Sequence, residues 1–406
     1  MTAPEIGACV EIIRAMNENL GAPPLAFVDT YGCQQNEADS EKLRGMLCEM
    51  GYDFTDDEFS ADLIVINTCA VRHHAETRLF GNVGALVHTK RQKPGQLIAL
   101  CGCMMQEETN VKKVRESFRH VDLVFGTHAL PRFPQLLYEA LGRSGRVFDR
   151  DDGEGCSITE GMPVRRGPPP RAWLPVMYGC DNYCTYCIVP YLRGRERSRT
   201  PENVLKEASE LIAGGYTDIM LLGQNVNSYG KGMCLDFSGL LEEICRLEGD
   251  FKLSFMTSHP KDAGERLFET MARNPKIKRH LHLPFQSGSD SILRAMNRGY
   301  TRDGYLEKID AAKNLIPQIN LTSDVIVGFP GEGEEEFEET LDLMRRVRFD
   351  NLFTFIYSKR PGTSAALLPD DTPALVKRER MARLLALQAS IRNPSAPTRS
   401  GRRDDK

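Results

Sequence analysis

The 406-residue chain lacks any apolar run that approaches the length of a membrane span. Charged residues interrupt its first twenty positions, among them Glu5, Glu11 and Arg14, so these positions lack the apolar core of a secretory signal peptide. We therefore expect a cytoplasmic protein without a membrane segment. In a reducing compartment, its 12 cysteines are expected to be metal ligands, catalytic groups or buried thiols rather than disulfides.

The chain also lacks an excess of positive charge. Its 52 Lys and Arg residues stand against 56 Asp and Glu residues, which gives a formal net charge of −4. This excludes a protein that attracts nucleic acid through its overall charge, so any such contact must come from local basic patches. With 41% hydrophobic and 27% charged residues, the composition is typical of a globular protein of two or three domains.

Short apolar runs alternate with helical patterns over residues 24–148, which predicts a parallel α/β sheet domain covered by helices. The predicted strands are 25–30, 63–67, 97–100 and 121–125, and the predicted helices are about 36–50, 75–89, 107–118 and 133–141. We expect Asn36 to cap the first of these helices. Residues 1–23 are expected to form an N-terminal extension.

A polar stretch at 149–172, rich in Arg, Gly and Pro, is predicted to be a linker. The alternation then resumes over 173–391. The predicted strands are 173–177, 218–222, 252–256, 280–283, 320–327 and 351–357, with helices that include 201–213, 240–247, 334–347 and 374–391. Six strand–helix units predict a partial (β/α)6 barrel rather than a closed eight-unit barrel. Residues 392–406 are expected to be a disordered tail.

Cys180, Cys184 and Cys187, here called the C-terminal triad, stand close together in the sequence, and no fourth cysteine follows nearby. A structural zinc site or a closed iron–sulfur cluster normally uses four protein ligands. Three thiolates on a four-iron cube leave one iron open to a reactant. Tyr186 completes the pattern C-x3-C-x-aromatic-C, which resembles the signature of the radical S-adenosylmethionine enzymes. The alternatives are a chance cluster of buried thiols or part of a zinc site.

Cys33, Cys69 and Cys103, here called the N-terminal triad, each follow a predicted strand. Ligands of parallel α/β sheets bind at the carboxyl ends of the strands, so we expect these thiols to converge and to suit a second cluster with an open iron. The alternative is that they are buried thiols that pack as small apolar groups. Cys101 is expected to point into the core. The other cysteines lack partners at ligand spacing and are interpreted as incidental: Cys9, Cys48, Cys156, Cys234 and Cys245.

Several runs of the sequence resemble the methylthiotransferases over about residues 25–391. These runs are 30–41, 67–72, 179–199, 281–289, 324–331 and 357–363. The residues around the second cysteine, Asn67-Thr-Cys-Ala-Val-Arg72, resemble the family's tRNA enzymes for isopentenyl-adenosine. Members that act on a ribosomal protein or on threonylcarbamoyl-adenosine usually carry other residues there. The tRNA enzymes usually end in an RNA-binding β-barrel, the TRAM domain, and we expect the chain after Ile391 to be too short and too polar to form it.

The resemblance implies that a C–H bond at carbon 2 of isopentenyl-adenosine, next to the tRNA anticodon, becomes C–SCH3. It implies two 4Fe-4S clusters and S-adenosylmethionine as cofactors. The cluster on the C-terminal triad would cleave S-adenosylmethionine, and the cluster on the N-terminal triad would hold the sulfur. The implied partners are tRNA and a flavodoxin- or ferredoxin-like electron donor, and we expect a monomer. Alternatives are a different modified adenosine, a ribosomal protein substrate, or a non-catalytic iron–sulfur carrier.

Polar residues near the ends of the later strands are predicted to contact S-adenosylmethionine. They are Gln224, Asn225, Gln286, Ser287 and Asp324, together with Tyr186 in the cysteine loop. For the loop at 224–225, a polar cap on the next helix is the alternative. His259 and His282 are predicted to form structural hydrogen bonds rather than to bind metal. The acidic stretch 332–339 is predicted to be a solvated helix start.

A basic run directly follows the C-terminal triad and is predicted to contact tRNA phosphates. Its residues are Arg193, Arg195, Arg197 and Arg199, and the patch is extended by Arg165, Arg166 and Arg171 in the predicted linker. The alternative is a solvated loop of ion pairs.

Overall fold

The computed structural model describes residues 5–70, 73–142, 145–150 and 160–392. The chain divides into two compact units: the first spans Met1–Cys180 and Ile188–Gly223, and the second spans Asp181–Cys187 and Gln224–Lys406. The domain bounds expected from the sequence stay predictions. Cys156 and the predicted tail beyond Arg392 lie outside the described residues.

The first unit is built around a six-stranded parallel sheet. Its strands are β1 (Leu25–Tyr31), β2 (Asp53–Phe54), β3 (Leu63–Thr68), β4 (Leu97–Gly102), β5 (Leu123–Phe125) and β6 (Val147–Asp149). The helices are α1 (Ile6–Glu18), α2 (Gln34–Glu49), α3 (His73–Ala85), α4 (Val87–Gln92), α5 (Glu108–Ser117) and α6 (Phe133–Gly142). The strand order is β2-β1-β3-β4-β5-β6, and each neighbouring pair is parallel.

Alternate residues of the central strands bury into two apolar layers, one on each face of the sheet. Leu63 and Val65 of β3 pack in a layer with Leu47 of α2, whereas Ile64 and Ile66 pack in the opposite layer. Helix α1, in the expected N-terminal extension, adds Ile13 to the first layer, and Cys101 also lies there, as predicted. The four strands predicted for this sheet are confirmed. Its two short strands, β2 and β6, were not predicted from the sequence.

The rest of the first unit contains β7 (Arg171–Pro175), β8 (Met177–Tyr178), α7 (Val189–Arg193), β9 (Arg197–Ser198), α8 (Pro201–Ala213) and β10 (Asp218–Leu222). Strands β7 and β10 are parallel, and β8 and β9 are antiparallel. Part of the predicted linker packs against this unit. Arg166 forms ion pairs with Glu41 at 3.2 Å and with Glu207, so its side chain is held within the fold.

The second unit continues the strand–helix alternation. Its elements are α9 (Phe237–Arg246), β11 (Lys252–Phe255), α10 (Glu265–Arg273), β12 (His280–His282), α11 (Asp290–Ala295), α12 (Arg302–Leu315), β13 (Asn320–Val327), α13 (Glu334–Val347), β14 (Asn351–Ile356) and α14 (Ala374–Arg392). Strands β12, β13 and β14 form a parallel sheet. The alternation of β7 and β10–β14 with helices is that of a partial (β/α)6 barrel. None of the described helices is long and apolar enough to span a membrane.

Candidate active site

The N-terminal triad lies at one edge of the first sheet. Cys33, Cys69 and Cys103 directly follow β1, β3 and β4, which are neighbours in the sheet. Because these strands are parallel, their carboxyl ends meet at the same edge. The Cys69 thiol is a hydrogen-bond partner of Cys33, and Cys69 and Cys103 are both buried. Cys33 and Cys69 therefore meet at this edge, and Cys103 follows the neighbouring strand; a cluster on the three thiols stays a prediction.

Cys33 occupies the N-cap position of α2, which begins at Gln34. The prediction that Asn36 caps this helix is wrong, because Asn36 lies in its first turn. The Cys33 thiol donates to Asn36 Oδ1 at 3.3 Å. The hydrogen bond with Cys69 lowers the pKa of Cys33 to about 6, and the charge of Arg193 acts in the same direction. The lowered pKa favours the thiolate of Cys33, the form that binds metal.

Gly102 allows the last strand of this edge to come close to its neighbour. Its φ is +95°, and a Cβ there would meet Asn67 Oδ1 at 2.3 Å and the backbone oxygen of Thr68 at 2.4 Å. Only glycine tolerates both conditions. Cys103 follows directly, and burial raises the pKa of its thiol, although nearby Arg193 opposes that effect.

Arg193 is buried beside the N-terminal triad, with 8% of its surface exposed. Its Nη1 pairs with Asp39 Oδ2 at 2.8 Å, and its Nε donates to Cys103 Sγ at 3.1 Å. Burial alone would lower the pKa of Arg193, but Asp39 and the two thiols raise it well above its usual range. This placement does not fit the predicted phosphate contact, because the guanidinium faces the interior of the unit.

Arg199 also departs from the predicted basic patch. It is buried and pairs with Glu160 at 2.9 Å and with Glu207 at 2.6 Å. These ion pairs correspond to the alternative weighed for the run, in which charges pair within the fold. Arg195 is exposed, and Arg197 is half-buried with its Nη2 donating to the backbone oxygen of Arg193 at 3.0 Å. Phosphate contact stays a prediction for these two.

Of the C-terminal triad, Cys180 belongs to the first unit, and Cys184 and Cys187 belong to the second. In the first unit, the N–H of Cys180 donates to the backbone oxygen of Gly194 at 3.2 Å. The preceding Gly179 has φ +79°, and a Cβ there would lie 1.9 Å from the backbone oxygen of Arg195. In the second unit, the N–H of Cys187 donates to the backbone oxygen of Cys184 at 2.9 Å, which closes a tight turn.

Arg298 is a buried cation beside Cys184, with 4% of its surface exposed. Its Nη1 donates to Cys184 Sγ and to the Tyr186 hydroxyl, both at 3.3 Å, and its Nη2 donates to the backbone oxygen of Pro284 at 2.9 Å. In the described part of the chain, no carboxylate lies within ion-pair distance of it. Because an uncompensated buried cation is costly, an anionic thiolate cluster fits this position. The sequence analysis did not identify Arg298, because its position shortly after α11 is the only signal that the sequence gives.

His259 also contacts the C-terminal triad through a hydrogen bond. Its Nδ1 accepts from the N–H of Lys261 at 3.2 Å, so Nε2 carries the proton and faces Cys184 Sγ at 3.9 Å. Burial lowers the pKa of His259 to about 2, which keeps the ring neutral. His282 bonds Thr322 Oγ1 at 2.9 Å. The predicted hydrogen-bonding roles of both histidines are confirmed.

Two of the predicted cofactor contacts hold buried acceptors with no partner among the described residues: Oδ1 of Asn225 and Oε1 of Gln286. Gln286 has φ +64°, so its backbone is held in a left-handed conformation that a side chain rarely adopts. A buried acceptor left unpaired costs about 1–3 kcal/mol, which a ligand with amine or hydroxyl donors would offset. Both residues thus fit S-adenosylmethionine.

The other predicted cofactor contacts differ in whether their polar groups are free to bind a ligand. The Ser287 hydroxyl lies 3.4 Å from Thr340 Oγ1 and accepts from the N–H of Ser289 at 3.2 Å, so it is engaged within the fold. Gln224 is half-buried. Asp324 Oδ1 lies 3.5 Å from His282 Nε2. Burial raises the pKa of the Tyr186 hydroxyl well above its usual range, so it stays protonated.

Phe353 and Phe355 form an aromatic face on β14 that the sequence reasoning missed. They are 44% and 47% exposed, and the alternation Phe-Thr-Phe is the signal that could have revealed them. Phe353 is the register partner of Asp324, and its ring centroid lies 5.8 Å from that of His282. Exposed aromatic rings beside polar groups are a surface on which a planar base can stack.

No group of three His, Cys, Asp or Glu side chains within residues 5–70, 73–142, 145–150 and 160–392 is placed to hold a metal ion. The fit to a cluster therefore depends on the chemistry of the donors: three thiols at one edge of the sheet, and a buried arginine beside each triad.

Comparison with known proteins agrees with this arrangement. Residues 174–344 match the radical SAM superfamily, and residues 26–126 match the family described as Uncharacterized protein family UPF0004. The solved structure of TsrM from Kitasatospora setae, a radical S-adenosylmethionine methyltransferase, has a TM-score of 0.62 at 14% identity. That match covers 85% of this chain and 77% of the other, and it supports the fold alone.

Two curated relatives are both tRNA-2-methylthio-N(6)-dimethylallyladenosine synthases. The protein from Thermoanaerobacter sp. (strain X514) is 50% identical over 92% of this chain and 80% of its own length. The protein from Clostridioides difficile (strain 630) is 46% identical over 97% of this chain and 83% of its own length. The chain belongs to the family of the tRNA-2-methylthio-N(6)-dimethylallyladenosine synthases.

Proposed function

We propose that this protein is a radical S-adenosylmethionine methylthiotransferase that acts on tRNA. It converts the C–H bond at carbon 2 of N6-dimethylallyl-adenosine, also called isopentenyl-adenosine, next to the anticodon, into C–SCH3. The observation that carries this proposal is the pairing of two separate cysteine triads, each with a buried arginine that donates to one of its thiols. The identity with the curated synthases supports the substrate.

Two 4Fe-4S clusters and S-adenosylmethionine are the cofactors. The N-terminal triad would hold one cluster and the C-terminal triad would hold the other. When bound, these groups supply radical abstraction of the hydrogen from carbon 2 and the methylated sulfur that replaces it. The protein supplies the positions of these groups and excludes water from them.

Side chains of the second unit orient the cofactor at the C-terminal triad. Arg298 compensates the negative charge of the thiolates, and neutral His259 points its Nε2–H at Cys184 Sγ. The unpaired acceptors of Gln286 and Asn225 receive donors of S-adenosylmethionine. Gln224, Ser287, Asp324 and Tyr186 complete the predicted set of contacts, although the hydroxyl of Ser287 is engaged within the fold.

The aromatic face of Phe353 and Phe355 receives the modified adenine. Stacking of a base on an aromatic side chain contributes about 1–3 kcal/mol, and the apolar dimethylallyl group gains from the same rings. Arg195 and Arg197 remain the predicted phosphate contacts of the basic run.

The proposed partners follow from this chemistry. The substrate is tRNA, which places the enzyme in the cytoplasm. Reductive cleavage of S-adenosylmethionine needs a low-potential electron donor, for which a flavodoxin- or ferredoxin-like protein is suitable. A monomer is sufficient, since one chain carries both triads.

The test is a comparison of two tRNA substrates with the anaerobically reconstituted and reduced protein. Isopentenylated tRNA should gain a methylthio group, detected by mass spectrometry of its nucleosides, whereas unmodified tRNA should not. Product on threonylcarbamoyl-adenosine or on a ribosomal protein instead would assign a different substrate. Failure to cleave S-adenosylmethionine at all would favour an iron–sulfur carrier.

A further inference from the structure

We propose that Arg193 is a positioning residue of the N-terminal triad, which holds one hydrogen-bond donor ready for a sulfur of the bound iron–sulfur cluster. The inference rests on the proposed function, because that function assigns a cluster to this triad. It gives Arg193 a role other than the phosphate contact expected from the basic run.

The three nitrogens of the guanidinium have three different environments. Nε donates to Cys103 Sγ at 3.1 Å, and Nη1 donates to Asp39 Oδ2 at 2.8 Å. Nη2 is buried, and it has no hydrogen-bond partner among the described residues. The first two bonds fix the plane of the guanidinium, so the direction of the third donor is fixed as well.

A buried donor without a partner is costly, and the cost is larger for a charged group than for a neutral one. The missing partner must therefore be an acceptor, and an anionic one is favoured. The thiol of Cys33 contributes to the electrostatic environment of Arg193, as does that of Cys103. A cluster held by these thiols brings inorganic sulfide, an acceptor of the required charge, to the same edge of the sheet.

The negative charge of Asp39 determines how strongly the positive charge of Arg193 acts on the cluster. It lies in α2, six residues after Cys33, and it is itself buried. The pair Arg193–Asp39 carries no net charge, so the cluster receives a directed hydrogen bond with little added positive potential. Hydrogen bonds to sulfur and positive charge both favour the reduced cluster and raise its reduction potential. Loss of Arg193 and loss of the Asp39 charge should therefore act in opposite directions.

The experiment measures the midpoint potential of this cluster by an EPR-monitored redox titration of the full-length chain. The three cysteines of the C-terminal triad are replaced by alanine, so that one cluster remains. In that background, Arg193→Gln should shift the midpoint to a lower potential, and Asp39→Asn should shift it to a higher one. Arg193→Lys keeps the charge and should shift it less than Arg193→Gln. Arg273→Gln, which breaks an exposed ion pair with Glu269, is the matched control and should leave it unchanged.

Unchanged midpoints in both Arg193→Gln and Asp39→Asn overturn the inference, as do shifts of the same sign in the two variants. If Arg193→Gln takes up no iron, Asp39→Asn decides alone: a higher midpoint supports the inference, and an unchanged one overturns it. Failure of the proposed function is seen separately. In that case the background protein with an intact Arg193 already carries no iron.

Discussion

Asn36 and Asn67 are hydrogen-bonded to each other in both directions. Asn36 Nδ2 donates to Asn67 Oδ1 at 3.1 Å, and Asn67 Nδ2 donates to the backbone oxygen of Asn36 at 2.8 Å. Asn36 lies in the first turn of α2, and Asn67 lies near the end of β3, so each stands close in sequence to a cysteine of the N-terminal triad. The pair therefore fixes the spacing between the segments that carry Cys33 and Cys69.

Replacement of Asn67 by alanine should lower the free energy of unfolding by about 1–3 kcal/mol, because it removes three buried hydrogen bonds between β3 and α2. It should also reduce the iron held at the N-terminal triad. Urea unfolding of the iron-free protein and iron analysis after reconstitution measure the two effects. Asn19→Ala removes an exposed amide that bonds the backbone of Ala15 and should cost less than about 0.5 kcal/mol. Equal effects of the two variants would contradict the role assigned to Asn67.

Replacement of all three cysteines of the C-terminal triad by alanine should leave about half of the iron, since the other triad binds its own cluster. Iron and sulfide are counted per chain after anaerobic reconstitution. Cys234→Ala, at an exposed cysteine outside both triads, is the control and should keep all the iron. Loss of all the iron, or of none, would refute the two-cluster arrangement.

Replacement of the N-terminal triad by alanine should uncouple the two halves of the reaction. Cleavage of S-adenosylmethionine after reduction should continue, since the C-terminal triad is intact, but no methylthio group should appear on tRNA. Chromatography of the cleavage products and mass spectrometry of the nucleosides measure the two outcomes. A methylthiolated product from this variant would show that the sulfur is held elsewhere.

Phe353→Ala should weaken the binding of tRNA without altering the cofactor site. The loss of about 1–3 kcal/mol of stacking corresponds to a rise in KM of roughly five- to 150-fold. Cleavage of S-adenosylmethionine in the absence of tRNA should stay unchanged. Phe59→Ala removes a ring of similar exposure from the first unit and serves as the control. If both variants keep the wild-type KM, the base does not stack on this face.

Glu332 makes the stability of the second unit depend on pH. Burial raises its pKa from an ordinary value of 4.5 to about 7, against the opposing effects of the Gly328 N–H and Arg380. The folded state therefore binds this proton more tightly than the unfolded state. The stabilisation is complete below about pH 4.5 and is lost as the pH rises to about 7, by up to roughly 3 kcal/mol.

The difference in free energy of unfolding between the wild type and Glu332→Gln isolates this effect from other titrating groups. It should move in favour of the variant as the pH rises from 5 to 8. Glu334→Gln is the control: the hydrogen bond from Arg383 lowers the pKa of Glu334 below its ordinary 4.5, so the difference for this variant should stay constant between pH 5 and 8. A difference that does not vary with pH would refute the role of Glu332.

Local patterns predict most of the regular structure because each element carries its own signals. Helix α8 begins at Pro201, as predicted, after Thr200, whose side chain accepts from the N–H of Asn203. The buried strands β3, β4 and β5 of the first unit are mostly apolar runs, which is typical of parallel sheets covered on both faces. Strand β2 has two residues, too few to show any period, and its pairing with β1 defines it.

The prediction of a solvated helix start at 332–339 was wrong for its first residue. Glu332 is buried and accepts from the N–H of Gly328 at 2.8 Å and from Arg380 at 3.1 Å. Similarly, Arg193 forms an ion pair with Asp39, which lies 154 residues away in the sequence. Charge and spacing along a sequence do not show such partners. From the sequence alone, a carboxylate or guanidinium is therefore predicted to be exposed to solvent, even where the fold places a counterion beside it.

Helix α2 has a consequence for how the chain folds as it is synthesised. It buries Asp39, Glu41 and Lys42, whose partners are Arg193, Arg166 and Tyr178. When the sheet residues up to about 150 have emerged from the ribosome, none of these partners has yet emerged. The amino-terminal half of the chain must then wait for residues up to at least 193 before this helix can dock completely. Synthesis order and folding order differ here, so the loop that carries the C-terminal triad is already present when the N-terminal triad takes its final form.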